Sequence, residues 1–145
     1  MEKIQFDSGV KRYKLGQGVL QFNPGDPNVY ARFMEAVESL KALERELVEQ
    51  AKGLDGEGAQ VVALMKSADE KMKSTLNWVF GHGNDFDEML GGVNLLAVAG
   101  NGQRVATNLF AALEPVLVAG AQSCAEGKVA EAVRKAKKRR GEKAE

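Results

Sequence analysis

Residues 27–80 read PNVYARFMEAVESLKALERELVEQAKGLDGEGAQVVALMKSADEKMKSTLNWVF, two stretches of helical periodicity on either side of a glycine-containing break. Before the first stretch, Asp26 followed by Pro27 is typical of an N-cap and a first helical position. Apolar side chains then recur within an arc of roughly 120°, which predicts a helix over residues 26–52. These side chains belong to Phe33, Val37, Leu40, Leu43, Leu47 and Leu54.

The second stretch repeats its apolar residues at spacings of three and four, which predicts a helix over residues 58–80. The break at Asp55-Gly56-Glu57-Gly58 indicates an antiparallel hairpin with facing apolar stripes. Glu44 interrupts the first stripe, so it either extends outward or marks the place where the packed partner of the helix ends. The second stripe contains Val61, Met65, Ala68, Met72, Leu76 and Val79, with Lys66, Glu70, Lys73 and Asn77 on the opposite side.

The segment before the hairpin has the period-two alternation of β-strands. Three runs alternate apolar and polar residues, with turn residues between them, and predict a short antiparallel β-meander over residues 3–23. Strands this short are not stable alone, so their apolar face is expected to pack on the helical hairpin. The alternating apolar pairs are Ile4 and Phe6, Tyr13 and Leu15, and Leu20 and Phe22.

The chain after the hairpin begins with glycine turns. Residues 80–84 contain two glycines and an asparagine, which predicts a turn, and residues 85–90 fit one or two helical turns. Residues 93–99 are apolar around one asparagine, and they fit either a buried strand or a short helix.

A third helix is predicted over residues 103–125, apolar around most of its circumference and expected to kink at Pro115. Glu126-Gly127 is expected to loosen the chain before a last, basic helix over residues 129–140.

These patterns predict an α+β, predominantly α-helical protein. The chain of 145 residues suits a single globular domain, which we place at residues 1–127, followed by a basic C-terminal tail at residues 128–145. The tail holds eight Lys/Arg against three Glu, and the rest holds 12 against 17 acidic residues, giving net charges of +5 and −5. This split favours contact of the tail with nucleic acid, an acidic protein surface or the body of a neighbouring copy.

The sequence lacks the residue combinations that catalysis, cofactors or metals need. His82 is the only histidine and lies between two glycines, which is typical of a turn residue rather than an oriented base. The acidic residues at 85–88 lack the rest of a calcium loop, and Gly100-x-Gly102 lacks the third glycine of a dinucleotide site. We therefore predict a non-enzymatic protein without a cofactor or a metal.

Exposed anchor residues are predicted instead. Most Met and aromatic residues at helical spacing belong to the core, but those at the end of the second helix and nearby are candidates for partner binding. The basic tail could bind phosphates in a salt-dependent manner, yet no aromatic residues interleave it, so nucleic acid is the lesser alternative. The predicted partner-binding residues are Trp78, Phe80, Phe86, Met89, Leu90 and Phe110.

The expected location is the cytoplasm. The first residues lack the apolar region of a secretory signal, and the single Cys124 suits a reducing compartment. The least polar stretch, residues 89–124, is interrupted by polar and charged residues, which predicts no membrane span.

Four short motifs resemble those of the small tail assembly chaperones encoded by tailed bacteriophages and prophages of Gram-positive bacteria. The similarity extends over residues 1–118, whereas the basic end matches no motif of that family. The motifs are Phe6-Asp7-Ser8-Gly9, Phe22-Asn23-Pro24-Gly25-Asp26, Val79-Phe80-Gly81 and the glycine-bearing segment Asn94 to Gly100 before an apolar helix.

The resemblance implies a mainly helical protein of the bacterial host cytoplasm that coats the tape-measure protein during tail assembly and recruits tail-tube subunits. It also implies self-association, and often a longer frameshifted product. Two alternatives stay open: a phage nucleic-acid-binding protein that uses its basic tail, and a secreted helical hairpin of the WxG type. Against the last, Trp78-Val79-Phe80 lacks the glycine and lies at a helix end.

Overall fold

The computed structural model describes residues 1–54 and 57–144, without the side chains of residues 128–130 and 139–144. Asp55 and Gly56 of the predicted break lie outside the described residues. The α+β, predominantly helical class is confirmed. The elements in chain order are β1 (Lys11–Leu15), β2 (Gly18–Phe22), α1 (Pro27–Lys52), α2 (Gly58–Phe80), α3 (Phe86–Met89) and α4 (Val105–Ala144).

Helices α1 and α2 form the predicted antiparallel hairpin. The Asp26 carboxylate accepts the backbone N–H of Asn28 at 2.9 Å, so α1 begins with the predicted N-cap and Pro27. Near the open end of the hairpin, the Arg32 side chain donates to the carbonyl of Val79 at 2.9 Å. Both apolar stripes face the core. The buried apolar residues on these faces include Val29, Phe33, Ala36 and Leu40 on α1 and Ala68, Met72, Leu76 and Val79 on α2.

The sheet has two antiparallel strands, in which Tyr13 pairs with Leu20. The prediction of a third strand is wrong, because residues 1–10 contain no strand. Ile4 and Phe6 are 90% and 81% exposed. A strand that buries neither of its apolar side chains gains only backbone hydrogen bonds, and these do not hold so short a segment in place.

An aromatic row joins the sheet to the helices. The rings of Tyr13 and Phe22 are 5.2 Å apart, those of Phe22 and Phe80 are 4.8 Å apart, and those of Phe80 and Phe86 are 5.5 Å apart. The turn of the β-hairpin also reaches α3, since the backbone N–H of Gln17 donates to the carbonyl of Met89 at 2.9 Å. The small sheet therefore packs on the end of α2 and on α3, as predicted for its apolar face.

The first part of α4 runs antiparallel to α1. Near the start of α4, the Phe110 ring lies 5.8 Å from that of Phe33. Further along, a Cβ atom on Gly120 would lie only 1.8 Å from the carbonyl oxygen of Pro24. Only glycine therefore allows this close approach between α4 and the loop before α1.

Helix α4 is continuous through the predicted break, so the predicted end at residue 125 and the separate basic helix are wrong. A glycine such as Gly127 costs a helix only about 1 kcal/mol relative to alanine, and the alanine, glutamate and lysine around it are strong helix formers. Pro115 lies within the helix. Among the described side chains of α4, the last buried one is Leu117, so the helix extends well beyond the core.

Between α2 and α4, the chain forms the predicted turn and the short helix α3. Residues 93–99 form neither a strand nor a helix, but turns with one β-bridge between Val98 and Arg104. Leu95 and Leu96 are nevertheless 0% and 1% exposed. Their burial without regular structure requires other partners for their backbone N–H groups.

Candidate functional site

An apolar cleft of about 200 Å³ lies between α1 and α4, where α4 begins. Its floor is formed by apolar side chains of α1, α2 and α4, and charged side chains stand at its edges. Phe110 of α4 is half-buried there. The lining consists of Phe33, Val37, Leu40, Lys41, Glu44, Met72, Ala106, Thr107, Phe110 and Glu114.

Past the start of α4, the cleft opens onto a surface formed by side chains of α1 alone. Lys41 and Glu44 line both the cleft and this surface, which adds Arg45, Val48 and Glu49. Val48 is 48% exposed, and the charged side chains around it are exposed as well. We call the cleft and this surface together the α1–α4 groove. An apolar floor between charged edges is the surface on which one face of an amphipathic helix docks.

The position of Glu44 in this groove explains why a charge interrupts the α1 stripe. Residues before it, such as Leu40, are covered by α4, whereas Glu44 is exposed. Of the two explanations that the sequence allows, the first fits this exposed side chain, which extends outward. Helix α4 begins beside Glu44, but α2 continues to pack on α1 beyond it, around Leu43 and Leu47. Past the start of α4, only the outer face of α1 is exposed to a partner.

The loop that positions the start of α4 is fixed by a buried ion pair. Lys73 of α2 donates to Asp69 at 2.9 Å and to Asp87 of α3 at 2.6 Å, and the residue is 4% exposed. The other carboxylate oxygen of Asp69 accepts the backbone N–H of Leu95 at 2.8 Å. These bonds join α2, α3 and the buried loop before α4.

The same contacts determine the protonation state of the Lys73 amine. Burial lowers the pKa of Lys73, but the hydrogen bonds and negative charges of Asp87 and Asp69 raise it further than burial lowers it. The net effect is a pKa above the usual 10.5, which keeps the amine protonated. A nucleophilic lysine needs a lowered pKa, so this arrangement holds structure rather than activates an amine.

Asn84 fixes the turn between α2 and α3. Its amide donates to the carbonyl of Gln21 at 2.9 Å and of Phe80 at 3.1 Å, and its oxygen accepts the N–H of Gln21 at 2.9 Å. Asn77 accepts the N–H of Phe86 at 2.9 Å, and Arg104 donates to the carbonyl of Leu96 at 2.6 Å. Polar side chains thus supply the backbone of these turns with hydrogen bonds that regular structure does not provide.

The six predicted partner-binding residues fall into three groups. Phe80, Phe86 and Met89 are 5%, 0% and 3% exposed, so they belong to the protein's own core rather than to a partner surface. Leu90 is half-buried beside them, and Trp78 is 50% exposed on α2. Only Phe110 lies in the α1–α4 groove.

Several residues of the site were not predicted from the sequence. The periodicity of α2 predicts Lys73 on the polar side of the helix, but Lys73 is buried beside Asp69. The spacing of four between the two residues is the signal that could have revealed the pair. Val48 lies outside the apolar stripe of α1, and no sequence pattern indicates that α4 begins too far along α1 to cover it.

The far part of α4 carries exposed positive charge. Arg134, Lys135, Lys137 and Lys138 are all exposed, and Lys135 forms an ion pair with Glu131 at 3.4 Å. This part of the predicted tail is helical and has no contact with the core among its described side chains. It is a second candidate surface, suited to acidic partners or phosphates.

By length and composition, α4 is also apolar enough over Val105–Lys138 to cross a membrane. One face of this segment packs in the core through Ala106, Leu109, Leu113 and Leu117. A core helix passes the same test of length and composition, so the finding is weak evidence for a membrane span. The absence of a span stays a prediction.

Comparison with known proteins gives no match: no family model, no curated protein and no solved structure is significantly similar to this chain. The geometry of the two surfaces and the motif resemblance are therefore the observations on which a function can be proposed.

Proposed function

We propose that the protein is a non-enzymatic binding protein that holds an elongated helical partner in the α1–α4 groove. The observation that carries this proposal is the outer face of α1 that lies past the start of α4, with Val48 exposed between Glu44 and Glu49. A partner helix placed there would bury an apolar stripe, and its charges would meet the charged edges.

The resemblance of the four motifs favours a phage tail assembly chaperone in the cytoplasm of a bacterial host. Under this proposal, the partner is the tape-measure protein, and tail-tube subunits join the complex during assembly. A long tape-measure helix would occupy grooves of many copies, which agrees with a groove that is open at its far end. The proposal includes self-association of the chain.

Co-expression with the tape-measure protein of the same phage or prophage genome, followed by pull-down, tests the proposal. Val48→Glu places a charge on the floor of the groove and should weaken capture by at least about tenfold. Val62→Glu is the matched control, because Val62 is 66% exposed on α2 and lines no part of the groove. Equal capture by both variants, or no capture by the wild type, would contradict the proposal.

Nucleic-acid binding is the second candidate, and the exposed basic residues of α4 favour it. Phosphate contacts of this kind weaken steeply as salt rises. If the full chain is not retained on nucleic acid at low salt, this candidate is excluded. If the double variant Lys135→Glu, Lys138→Glu is retained as strongly as the wild type, the basic part of α4 is not what binds the nucleic acid.

A further inference from the structure

The loop before α4 contains Asn101, the only asparagine of the chain that is followed by a glycine. Asn101 and Gly102 are both exposed to water. The backbone nitrogen that follows an asparagine can attack the side-chain amide carbon, because both groups belong to one chain and lie close together. Glycine has no Cβ that would obstruct this approach. Asn101 is therefore the asparagine at which this attack meets the least hindrance.

The reaction that follows from such an attack is deamidation. The backbone nitrogen of Gly102 loses its proton and forms a bond to Cγ of Asn101. The bond between Cγ and Nδ2 breaks, and Nδ2 leaves as ammonia with a proton in place of the one that Gly102 lost. Water then opens the cyclic imide at one of its two carbonyl carbons. One opening gives aspartate, and the other gives isoaspartate, whose main chain runs through Cγ.

Both reacting groups are held in other contacts in the structure. Nδ2 of Asn101 donates to Oδ1 of Asn108 at 2.9 Å, and Nδ2 of Asn108 donates to Oδ1 of Asn101 at 3.2 Å. The backbone N–H of Gln103 donates to the same Oδ1 of Asn101 at 3.1 Å. The N–H of Gly102 donates to the carbonyl of Ala99 at 3.0 Å. These bonds fix the leaving amide, and the proton of the attacking nitrogen is shared with an acceptor.

The same loop sets the start of α4. On either side of Asn101, the N–H of Ala99 donates to the carbonyl of Gln103 at 2.7 Å, and the N–H of Val105 donates to the carbonyl of Ala97 at 2.8 Å. Isoaspartate adds one carbon to the main chain inside this ladder, so these backbone groups can no longer all stay paired. A covalent change at Asn101 therefore alters how α4 begins.

We propose that Asn101 is a latent deamidation site, which the paired amide of Asn108 holds in the unmodified form. When this pair is lost, Asn101 turns into aspartate and isoaspartate, with water as the only reactant that enters. The site lies outside the proposed function and does not rest on it, because the change concerns this chain alone.

Peptide mass spectrometry of the full chain, incubated in mildly alkaline buffer, measures the rate at which each asparagine becomes an acid. The same chain unfolded in urea gives the rate without the hydrogen bonds of the loop. The folded wild type should react at Asn101 at least about tenfold more slowly than the unfolded chain. This comparison needs no substitution, so it holds even if a variant folds poorly.

Asn108→Ala tests the pair itself and should raise the rate at Asn101 in the folded chain by at least about fivefold. Thr107→Ala is the matched control, because Thr107 is exposed on the same turn of α4 and takes no part in the bonds of Asn101. The control should keep the wild-type rate. In urea, the wild type and both variants should react equally fast, and circular dichroism before incubation should show that all three are folded.

Three results would overturn the proposal: equal rates at Asn101 in the folded and unfolded wild type, a wild-type rate in folded Asn108→Ala, or faster modification of another asparagine in the unfolded chain. The isoaspartate form, separated by ion exchange, should show faster hydrogen exchange over residues 97–106 than the fresh chain. Unchanged exchange there would contradict the effect on the start of α4.

Discussion

Replacing Gly120 by alanine is expected to destabilise the protein, although alanine is the better helix former. In the interior of a helix, Gly→Ala gains about 1 kcal/mol. Here the new Cβ would lie 1.8 Å from the carbonyl oxygen of Pro24, where ordinary contact begins at 3.4 Å. The backbone would have to move by the difference, about 1.6 Å, and overpacking of this kind costs about 1–3 kcal/mol or more.

The net expectation for Gly120→Ala is a loss of stability of up to about 2 kcal/mol, or up to roughly 8 °C in the thermal midpoint for a chain of this size. Thermal and urea unfolding followed by circular dichroism measure it. Gly127→Ala is the matched control in the same helix, because a Cβ there meets nothing within 4 Å. Its midpoint should stay equal or rise. If Gly120→Ala raised the midpoint as well, the close packing of α4 on the loop before α1 would be refuted.

Three further changes test the loop and the site. Lys73→Met leaves the buried Asp69 without its cation and should cost about 3–5 kcal/mol in urea unfolding at neutral pH. Because the pKa of Lys73 is raised in the folded state, this contribution is complete below pH 10.5 and is lost as pH rises through the folded-state pKa, so wild type and variant should converge in strong alkali. Asn84→Ala should cost about 1–3 kcal/mol by leaving the Phe80 carbonyl unpaired, and equal midpoints would contradict that. Trp78→Ala should leave tape-measure capture unchanged, and lost capture would move the site to α2.

The helical hairpin could be predicted from the sequence because the apolar residues of both helices recur with the helical period of 3.6 residues. Asp26 and Pro27 fix the start of α1 through local backbone chemistry, which needs no knowledge of the rest of the fold. The turn and short helix after α2 are equally local, since glycines end both. In each case the physical cause lies within a few residues of its effect.

Features that depend on distant contacts could not be predicted. Ile4 and Phe6 have the alternation of a strand, but pairing also requires a surface that buries them. Gly127 predicts a break by its residue type, but a single glycine weakens a helix only slightly when its neighbours favour helix. Lys73 is buried because Asp69 and Asp87 surround it, and Asp87 belongs to another element.

The residues of the candidate site also divide into those that could be predicted from the sequence and those that could not. Phe110 was predicted as a partner-binding residue and lies in the α1–α4 groove, whereas Phe80 and Phe86 fill the space between the sheet and α3. Large aromatic residues near a turn fit a core and a docking surface equally well in sequence. Only the position of the small sheet, which covers them, distinguishes the two.

The most direct test of the account is a nuclear magnetic resonance titration of the isotope-labelled chain with the tape-measure segment captured in the pull-down. If the α1–α4 groove is the docking surface, the largest shifts should map to residues 41–49 of α1 and residues 106–114 of α4. Shifts centred instead on α2 around Trp78, or confined to residues 131–138, would contradict the central claim that a helical partner binds in this groove.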